Sequence, residues 1–198
     1  FEKSKKMLRS LCADTVCPDE MLLSIDKLTA FLDGLSPDLI VLQNITFANS
    51  AYVSEVLKRF DCPILLWTLR EPVIDGGRLR LNSLTGAFSA ANTIKYFRKE
   101  QFGYVFGSPE EKRVIAEIGA YIRAAQIRKE LKSLKMASVG HTPQGFGFGR
   151  ALDAELLKSF GVTLESIEAR ELIEKAQAYS EDEAREYLER AAKSMNGL

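Results

Sequence analysis

The sequence is poor in the residues that build metal centres and disulfides. Its 198 residues include a single histidine, His141, and three cysteines, Cys12, Cys17 and Cys62. One histidine excludes a His-rich metal site and acid–base catalysis by a histidine pair. The cysteines are odd in number and form no CxxC pair, so we expect neither a disulfide framework nor a zinc site. We interpret them as reduced thiols of a reducing compartment.

Long hydrophobic runs and a surplus of charge are also lacking. No apolar run approaches the ~20 residues that span a bilayer, and residues 1–6 contain no apolar core of a secretory signal. The 27 Lys and Arg residues balance 27 Asp and Glu residues, which leaves no overall field for a polyanion. We therefore expect a soluble, cytoplasmic protein with no nucleic-acid partner and no membrane partner.

What the sequence does contain is a regular alternation of amphipathic and short apolar segments. Apolar residues make up 46% of the chain, enough to bury a core. Continuous apolar runs of strand length are typical of parallel sheets covered on both faces, and capping residues mark several helix starts. The pattern predicts helices at 2–11, 19–32, 49–60, 83–100, 108–133, 150–160, 169–178 and 180–194, and strands at 39–42, 63–67, 102–106, 134–139 and 162–167.

This pattern predicts the α/β fold class, with two doubly wound parallel-sheet domains of the flavodoxin or Rossmann type. Residues 70–82 are rich in turn formers and lack a helical period, so we place the boundary there, with domains at 1–75 and 76–198. The first domain has only two strong strands and is expected to be incomplete, with a further strand upstream of Phe1. Because the sequence starts with Phe1 rather than Met, we expect it to be part of a longer protein.

The loop Gly140–Gly149 is the most conspicuous candidate for ligand binding. Ligands of open α/β sheets bind at the carboxyl ends of the strands, and the glycines of this loop permit close backbone approach. Their GxGxG spacing is not the dinucleotide-binding fingerprint. Glu168, nineteen residues after Gly149, nevertheless lies where a ribose-binding acid would be expected. The alternative is that the glycines serve turn geometry alone. His141 is either a ligand contact or general base, or a hydrogen-bonded loop residue.

Two further polar segments follow predicted strands. Residues 43–47 either bind a polyol or cap the next helix. In residues 67–72, Trp67 is either a platform for a sugar ring or a core residue with a satisfied N–H. Arg70 and Glu71 either contact a ligand or pair with each other at the surface.

An ordered series of motifs resembles a known family. It runs through the segments 63–67, 71–72, 76–80, 82–87, 104–109, 145–146, 160–162 and 171–172. Together these are similar to the N-terminal and middle domains of L-fucose/L-arabinose isomerase-like proteins, over roughly Ser36 to Glu183. Gly86 or Ala87 stands where the arabinose branch of the family has a histidine.

The resemblance implies a cytoplasmic aldose–ketose isomerase that forms a homo-oligomer and acts on a sugar. It implies a divalent metal, Mn²⁺, that assists proton transfer through an enediol, with its ligands outside this chain. No catalytic residue and no metal ligand is assigned within the chain, which by itself is expected to be inactive. The substrate contacts carried over are Trp67, Asn82 and, from the loop 141–146, His141, Gln144 and Phe146.

We therefore expect a segment that supplies scaffold, subunit interface and substrate-binding loops to a sugar isomerase. The main alternative is a non-catalytic module that binds a sugar or another small molecule. A third possibility is half of a nucleotide-binding dehydrogenase. Metal-free sugar binding would favour the module, and protection by NAD would favour the dehydrogenase.

Overall fold

A computed structural model describes residues 1–98 and 102–195 and divides the chain into two compact units, Phe1–Lys129 and Glu130 onwards. The helices are α1 (Glu2–Leu11), α2 (Ile25–Leu32), α3 (Ser50–Arg59), α4 (Ser83–Arg98), α5 (Lys112–Ser133), α6 (Asp153–Phe160), α7 (Ala169–Gln177) and α8 (Glu181–Ser194). The strands are β1 (Ile40–Asn44), β2 (Ile64–Thr68), β3 (Gly103–Phe106), β4 (Lys135–Val139) and β5 (Thr163–Ile167). The predicted α/β class with parallel sheets is confirmed, while the predicted helical residues 99 and 100 lie outside the described residues.

The first unit is built on a parallel sheet in the order β1-β2-β3. The central strand β2 is buried along its whole length, and successive side chains of a strand point to opposite faces. Ile64 and Leu66 pack with buried residues of α2, α3 and α4, whereas Leu65 and Trp67 pack with buried residues of α1 and α5. Helices therefore cover both faces of this sheet, which explains why the strand reads as an uninterrupted apolar run.

The predicted boundary at residues 75 and 76 does not coincide with the division of the structure. β3 pairs in parallel with β2, with Leu65 opposite Gly103 and Thr68 opposite Phe106. Residues on both sides of the predicted boundary thus share one sheet. The division falls instead within the last turns of α5.

The second unit contains the parallel pair β4 and β5, with Lys135 opposite Thr163 and Val139 opposite Ile167. Helix α6 ends at Gly161, whose φ of +76° is the left-handed conformation that glycine adopts readily. Val162 is buried, but most described apolar side chains of this unit are exposed, including Val139, Leu172 and Ile173. Within the described residues the two sheets have three and two strands, so two complete doubly wound domains are not seen.

Three predicted helices begin later than the sequence pattern indicates, and one of them is α6, which begins at Asp153 rather than Arg150. α2 begins at Ile25 rather than Asp19, because the Ser24 side chain accepts the Lys27 N–H and caps the helix there. α5 begins at Lys112 rather than near Ser108, since residues 108–111 form a separate turn in which the Glu111 N–H donates to the Ser108 carbonyl. Across the described ranges, no helix has both the length and the hydrophobicity that a bilayer span needs.

Candidate functional site

The carboxyl edge of the first sheet carries two buried polar side chains that lack hydrogen-bond partners. Asn44 ends β1 and Thr68 ends β2, and the two residues lie opposite each other in the parallel register. Asn44 is 6% exposed and Thr68 is fully buried. Among the described residues, neither Asn44 Nδ2 nor Thr68 Oγ1 finds a partner. Because buried polar groups are nearly always paired in folded proteins, this unpartnered pair makes the carboxyl edge a candidate site.

A loop held by one carboxylate lies at the same edge. We call residues 71–82, between β2 and α4, the Glu71 loop. The Glu71 carboxylate accepts hydrogen bonds from the backbone N–H groups of Arg80, Leu81 (2.9 Å) and Asn82 (3.0 Å). Desolvation acts to raise the pKa of Glu71, but these N–H donors and the charge of Arg80 lower it below its ordinary value overall. The carboxylate therefore stays ionised and draws the two ends of the loop together.

Arg70 has a different partner from the one predicted. Instead of pairing with Glu71, its guanidinium binds Glu111 in a bidentate manner, with Nε 2.9 Å from Oε1 and Nη2 3.0 Å from Oε2. The Glu111 carboxylate also accepts the Ser108 N–H at 2.8 Å. Arg70 and this N–H lower the pKa of Glu111 to about 2. The ion pair fixes the end of β2 to the turn that follows β3.

A cavity of about 490 Å³ opens between the Glu71 loop and the segment that follows β1. Its walls are Thr46 and Phe47 on one side and the stretch 78–82 on the other. The Phe47 N–H donates to the Leu81 carbonyl at 3.0 Å and joins the two walls. This volume is within the range of sites for small molecules, and the arginines at positions 78 and 80 are the charged side chains in its lining.

Asn82, a predicted substrate contact, lies in this cavity at the start of α4. Its φ of +52° is a left-handed conformation, which asparagine tolerates better than most residues. The Asn82 side-chain oxygen accepts the Thr85 hydroxyl at 2.7 Å, and the Ser83 hydroxyl donates to the Leu69 carbonyl at 2.7 Å. The residue is thus held in a defined position beside the arginines.

Helix α4 approaches the segment after β1 closely at Gly86. A Cβ added to Gly86 would lie 2.8 Å from the Ala48 backbone nitrogen and 3.0 Å from Asn44 Nδ2. The Ala48 backbone would have to shift to make room for this Cβ. Glycine at this position therefore lets the first turns of α4 pack directly on the segment after β1, beside the unpartnered Asn44 amide.

Trp67, another predicted contact, is a core residue in this structure. Its side chain is fully buried, and its indole N–H donates to the Gly107 carbonyl at 3.0 Å. This arrangement agrees with the interpretation of a core tryptophan with a satisfied N–H and leaves no ring face exposed for a sugar. Gln43, in the neighbouring polar segment, donates to the Ser4 hydroxyl of α1 at 2.9 Å.

The other three predicted contacts lie in the loop that follows β4 in the second unit. His141, Gln144 and Phe146 are all exposed, with Phe146 at 55%. The Phe146 N–H donates to the Pro143 carbonyl at 3.2 Å, and Gly145 within this turn has a φ of +88°. The loop therefore presents polar and aromatic side chains to solvent. The five predicted residues are divided between the two units, and the structure brings Asn82 together with the arginines of the Glu71 loop.

The described residues do not fit a resident metal ion. Within 1–98 and 102–195, no three His, Cys, Asp or Glu side chains lie close enough together to hold one. Glu71 and Glu111, the acids at the carboxyl edge, are engaged with backbone N–H groups and with Arg70. We derive no step of a reaction through a metal held by these residues.

Sequence analysis did not single out Arg78, Arg80 or the anchoring role of Glu71. The turn-rich composition of residues 70–82 did indicate a segment with room for function. Three backbone N–H groups bind Glu71 at a sequence separation of 9 to 11 residues, and no local motif encodes such a contact. The only sequence signal for the two arginines is that they stand two residues apart within the turn-rich segment 70–82.

The chain is similar over its whole length to proteins named sulfoquinovose isomerase. It is 61% identical over 198 residues to one from Clostridium sp. (strain MSTE9) and 34% identical over 200 residues to one from Priestia megaterium (strain ATCC 12872 / QMB1551), covering 44% of each relative. Identity to one from Alkalicoccus urumqiensis is 33% over 180 residues, which covers 90% of this chain and 40% of that protein. The chain thus spans less than half the length of the curated relatives it matches. No family model matches it.

Proposed function

We propose that this chain is a segment of an aldose–ketose isomerase whose substrate is sulfoquinovose, a hexose with a sulfonate on carbon 6. The observation that supports this most strongly is the 61% identity, over the whole chain, to a protein named sulfoquinovose isomerase. Such a reaction converts the aldehyde at carbon 1 and the hydroxyl at carbon 2 into a 2-ketose by moving a proton between the two carbons. The substrate is therefore a polar sugar with one permanent negative charge.

In this proposal the chain supplies scaffold, subunit interface and substrate-binding loops. The candidate site at the carboxyl edge of the first sheet is the part that contacts substrate. A divalent cation, Mn²⁺, is held by residues outside this chain. The protein works in the cytoplasm as a homo-oligomer. Its membership of the L-fucose/L-arabinose isomerase-like family is part of the same proposal.

The proposal also includes the completion of both sheets by chain outside the 198 residues. Sheets of three and two strands, counted over the described residues, are smaller than the four to six strands typical of stable sheets. The exposed apolar side chains of the second unit, such as Val139 and Ile173, are consistent with a surface that further chain covers. Two doubly wound domains would result.

Activity of two polypeptides tests this function. The native gene product that contains this sequence, and the 198-residue chain alone, are incubated with sulfoquinovose and Mn²⁺, and ketose formation is followed by NMR. We expect conversion by the native product, loss of conversion after chelation of the metal, and none by the chain alone. L-Fucose and L-arabinose are tested in parallel as sugars without a sulfonate.

Two outcomes would contradict different parts of the proposal. A native product that isomerises none of these sugars would overturn the assignment as a sugar isomerase. Turnover by the 198-residue chain would instead show that the catalytic centre lies within it. Micromolar metal-free sugar binding without turnover, measured by calorimetry, would favour the alternative of a non-catalytic binding module.

A further inference from the structure

The cavity beside the Glu71 loop is lined by two arginines. Arg78 and Arg80 both line it and are both exposed. Within the described part of the chain, Arg78 forms no ion pair, and Arg80 has one distant carboxylate, with its Nη2 3.7 Å from Asp75 Oδ2. At such a separation and exposure an ion pair contributes little. Both guanidinium groups therefore remain available to an anion.

Glu71 and Glu111 direct their hydrogen bonds to groups other than the guanidinium groups of Arg78 and Arg80. The Glu71 carboxylate binds the backbone N–H groups of the loop, including those of Leu81 and Asn82. Glu111 is bound to Arg70 through both of its oxygens. Glu71 and Asp75 balance part of the charge of this loop, but among the described residues the guanidinium groups of Arg78 and Arg80 donate no hydrogen bond and keep their N–H donors free.

The backbone that carries the arginines is fixed before any ligand arrives. The Arg80 N–H is bound to Glu71, the Leu81 carbonyl accepts the Phe47 N–H at 3.0 Å, and the Gly77 N–H donates to Asp75 Oδ1 at 2.9 Å. Side chains on a preorganised loop lose less conformational freedom on binding than side chains on a mobile one. Thr46, on the opposite wall, adds a hydroxyl that can donate to an anion.

We propose that this cavity binds the sulfonate group of the substrate, with Arg78 and Arg80 as its charged ligands. This inference rests on the proposed function for the identity of the anion. A sulfonate is ionised at all physiological pH values and has three oxygens that only accept hydrogen bonds. The guanidinium fork presents several N–H donors in one plane and retains its charge, so it complements a group of this shape.

The test uses the native gene product with its metal and three variants. R78Q and R80Q remove one charge each from the cavity, and R128Q removes one from an exposed position on α5 as the matched control. Turnover gives KM and kcat for sulfoquinovose, and calorimetry gives its dissociation constant. Inorganic sulfate serves as a competitor that carries the anion chemistry without the sugar.

For R78Q and R80Q we expect KM and the dissociation constant for sulfoquinovose to rise at least about tenfold, as is usual when a charge-assisted hydrogen bond is lost. The value of kcat should change less, because the sulfonate is remote from carbons 1 and 2. R128Q should match the wild type in every measurement. Sulfate should compete with sulfoquinovose in the wild type, and R78Q and R80Q should weaken that competition.

The two proposals fail in distinguishable ways. Turnover of sulfoquinovose with KM unchanged in R78Q and R80Q would overturn the sulfonate site and leave the isomerase function standing. Binding of sulfoquinovose that is weakened in both variants, without turnover in the wild type, would support the site and overturn the function. A loss of affinity in R128Q equal to that in R78Q would attribute the effect to general charge and refute the site.

Discussion

Replacement of Trp67 by phenylalanine tests whether this residue is a core residue or a sugar platform. The indole is fully buried on the α1 and α5 side of the sheet, in a cluster that includes Val105, Val114 and Ile118. Its N–H donates to the buried Gly107 carbonyl at 3.0 Å. Phenylalanine keeps an aromatic ring in the cluster but removes the donor and part of the buried volume.

The expected decrease in the free energy of unfolding follows from the loss of this donor and of this buried volume. The smaller ring buries two fewer carbons, at about 0.8 kcal/mol for each methylene-sized group. Loss of the donor leaves the Gly107 carbonyl buried without this partner, which costs about 1–3 kcal/mol. We therefore expect Trp67→Phe to lower the free energy of unfolding of the first unit by about 3 kcal/mol. Phe88→Leu, at a side chain on α4 that is 68% exposed, should change it by less than about 0.5 kcal/mol.

Urea denaturation is the suitable assay. Trp67 is the single tryptophan of the chain, so its fluorescence in the wild type identifies the transition of the first unit. Far-UV circular dichroism then follows the same transition in the variant, which lacks that fluorophore. A variant within about 0.5 kcal/mol of the wild type would refute the burial of the indole and restore the interpretation of Trp67 as a platform for a sugar.

Three further predictions concern the helix and strand contacts. Because the folded-state pKa of Glu111 is about 2 against an ordinary value of 4.5, its pair with Arg70 stabilises the fold above pH 4.5 and loses this effect as the pH falls towards 2. The Tm difference between wild type and Glu111→Gln, measured by circular dichroism, should therefore shrink over that range, and a constant difference would contradict the ion pair. Gly103→Ala places a Cβ 2.7 Å from Tyr121 Cε1 and should destabilise the chain in urea by about 1–3 kcal/mol, whereas Gly147→Ala meets no atom within 4 Å and should not. Ser180→Ala removes the capping box of α8 and should cost about 1 kcal/mol of helix stability, seen as faster amide exchange in its first turn.

The starts of α3 and α8 were predictable from their capping side chains. Asn49 caps α3 by accepting the Ala51 N–H, and Ser180 caps α8 through a complete capping box. The start of α2 was not predictable from periodicity, because Leu22 packs against the core from a non-helical segment. Apolar residues at helical spacing therefore indicate which side chains are buried. They do not show whether the backbone at each of these positions is helical.

The start of α5 shows how a distant partner changes local structure. Ser108, Pro109 and Glu111 match a helix start in sequence, and the Glu111 side chain does accept the Ser108 N–H. The same carboxylate also binds Arg70, 41 positions earlier. The helix then begins only at Lys112, after the turn that this pair holds. A contact over such a separation is not visible in a local motif.

The domain boundary depends on strand pairing, which composition does not report. The turn-rich segment 70–82 is a loop, as predicted, but Glu71 binds it back onto itself and the strands on either side of it pair directly. A linker between domains and a binding loop within one domain have the same glycine and proline content. The direct pairing of β2 with β3 separates the two interpretations.

Sequence reasoning predicted the location of the candidate site but not the arginines that line it. The rule that ligands bind at the carboxyl ends of parallel strands pointed to the segments after β1 and β2, and Asn82 lies there. The balanced overall charge argued against a polyanionic partner. That argument holds for a polyanion that covers a surface, because such a partner senses the summed field. A single sulfonate binds to individual donors, and among the described residues the guanidinium groups of Arg78 and Arg80, which line the cavity, donate no hydrogen bond. Which donors are left free depends on the contacts that the fold makes, and residue counts do not contain that information.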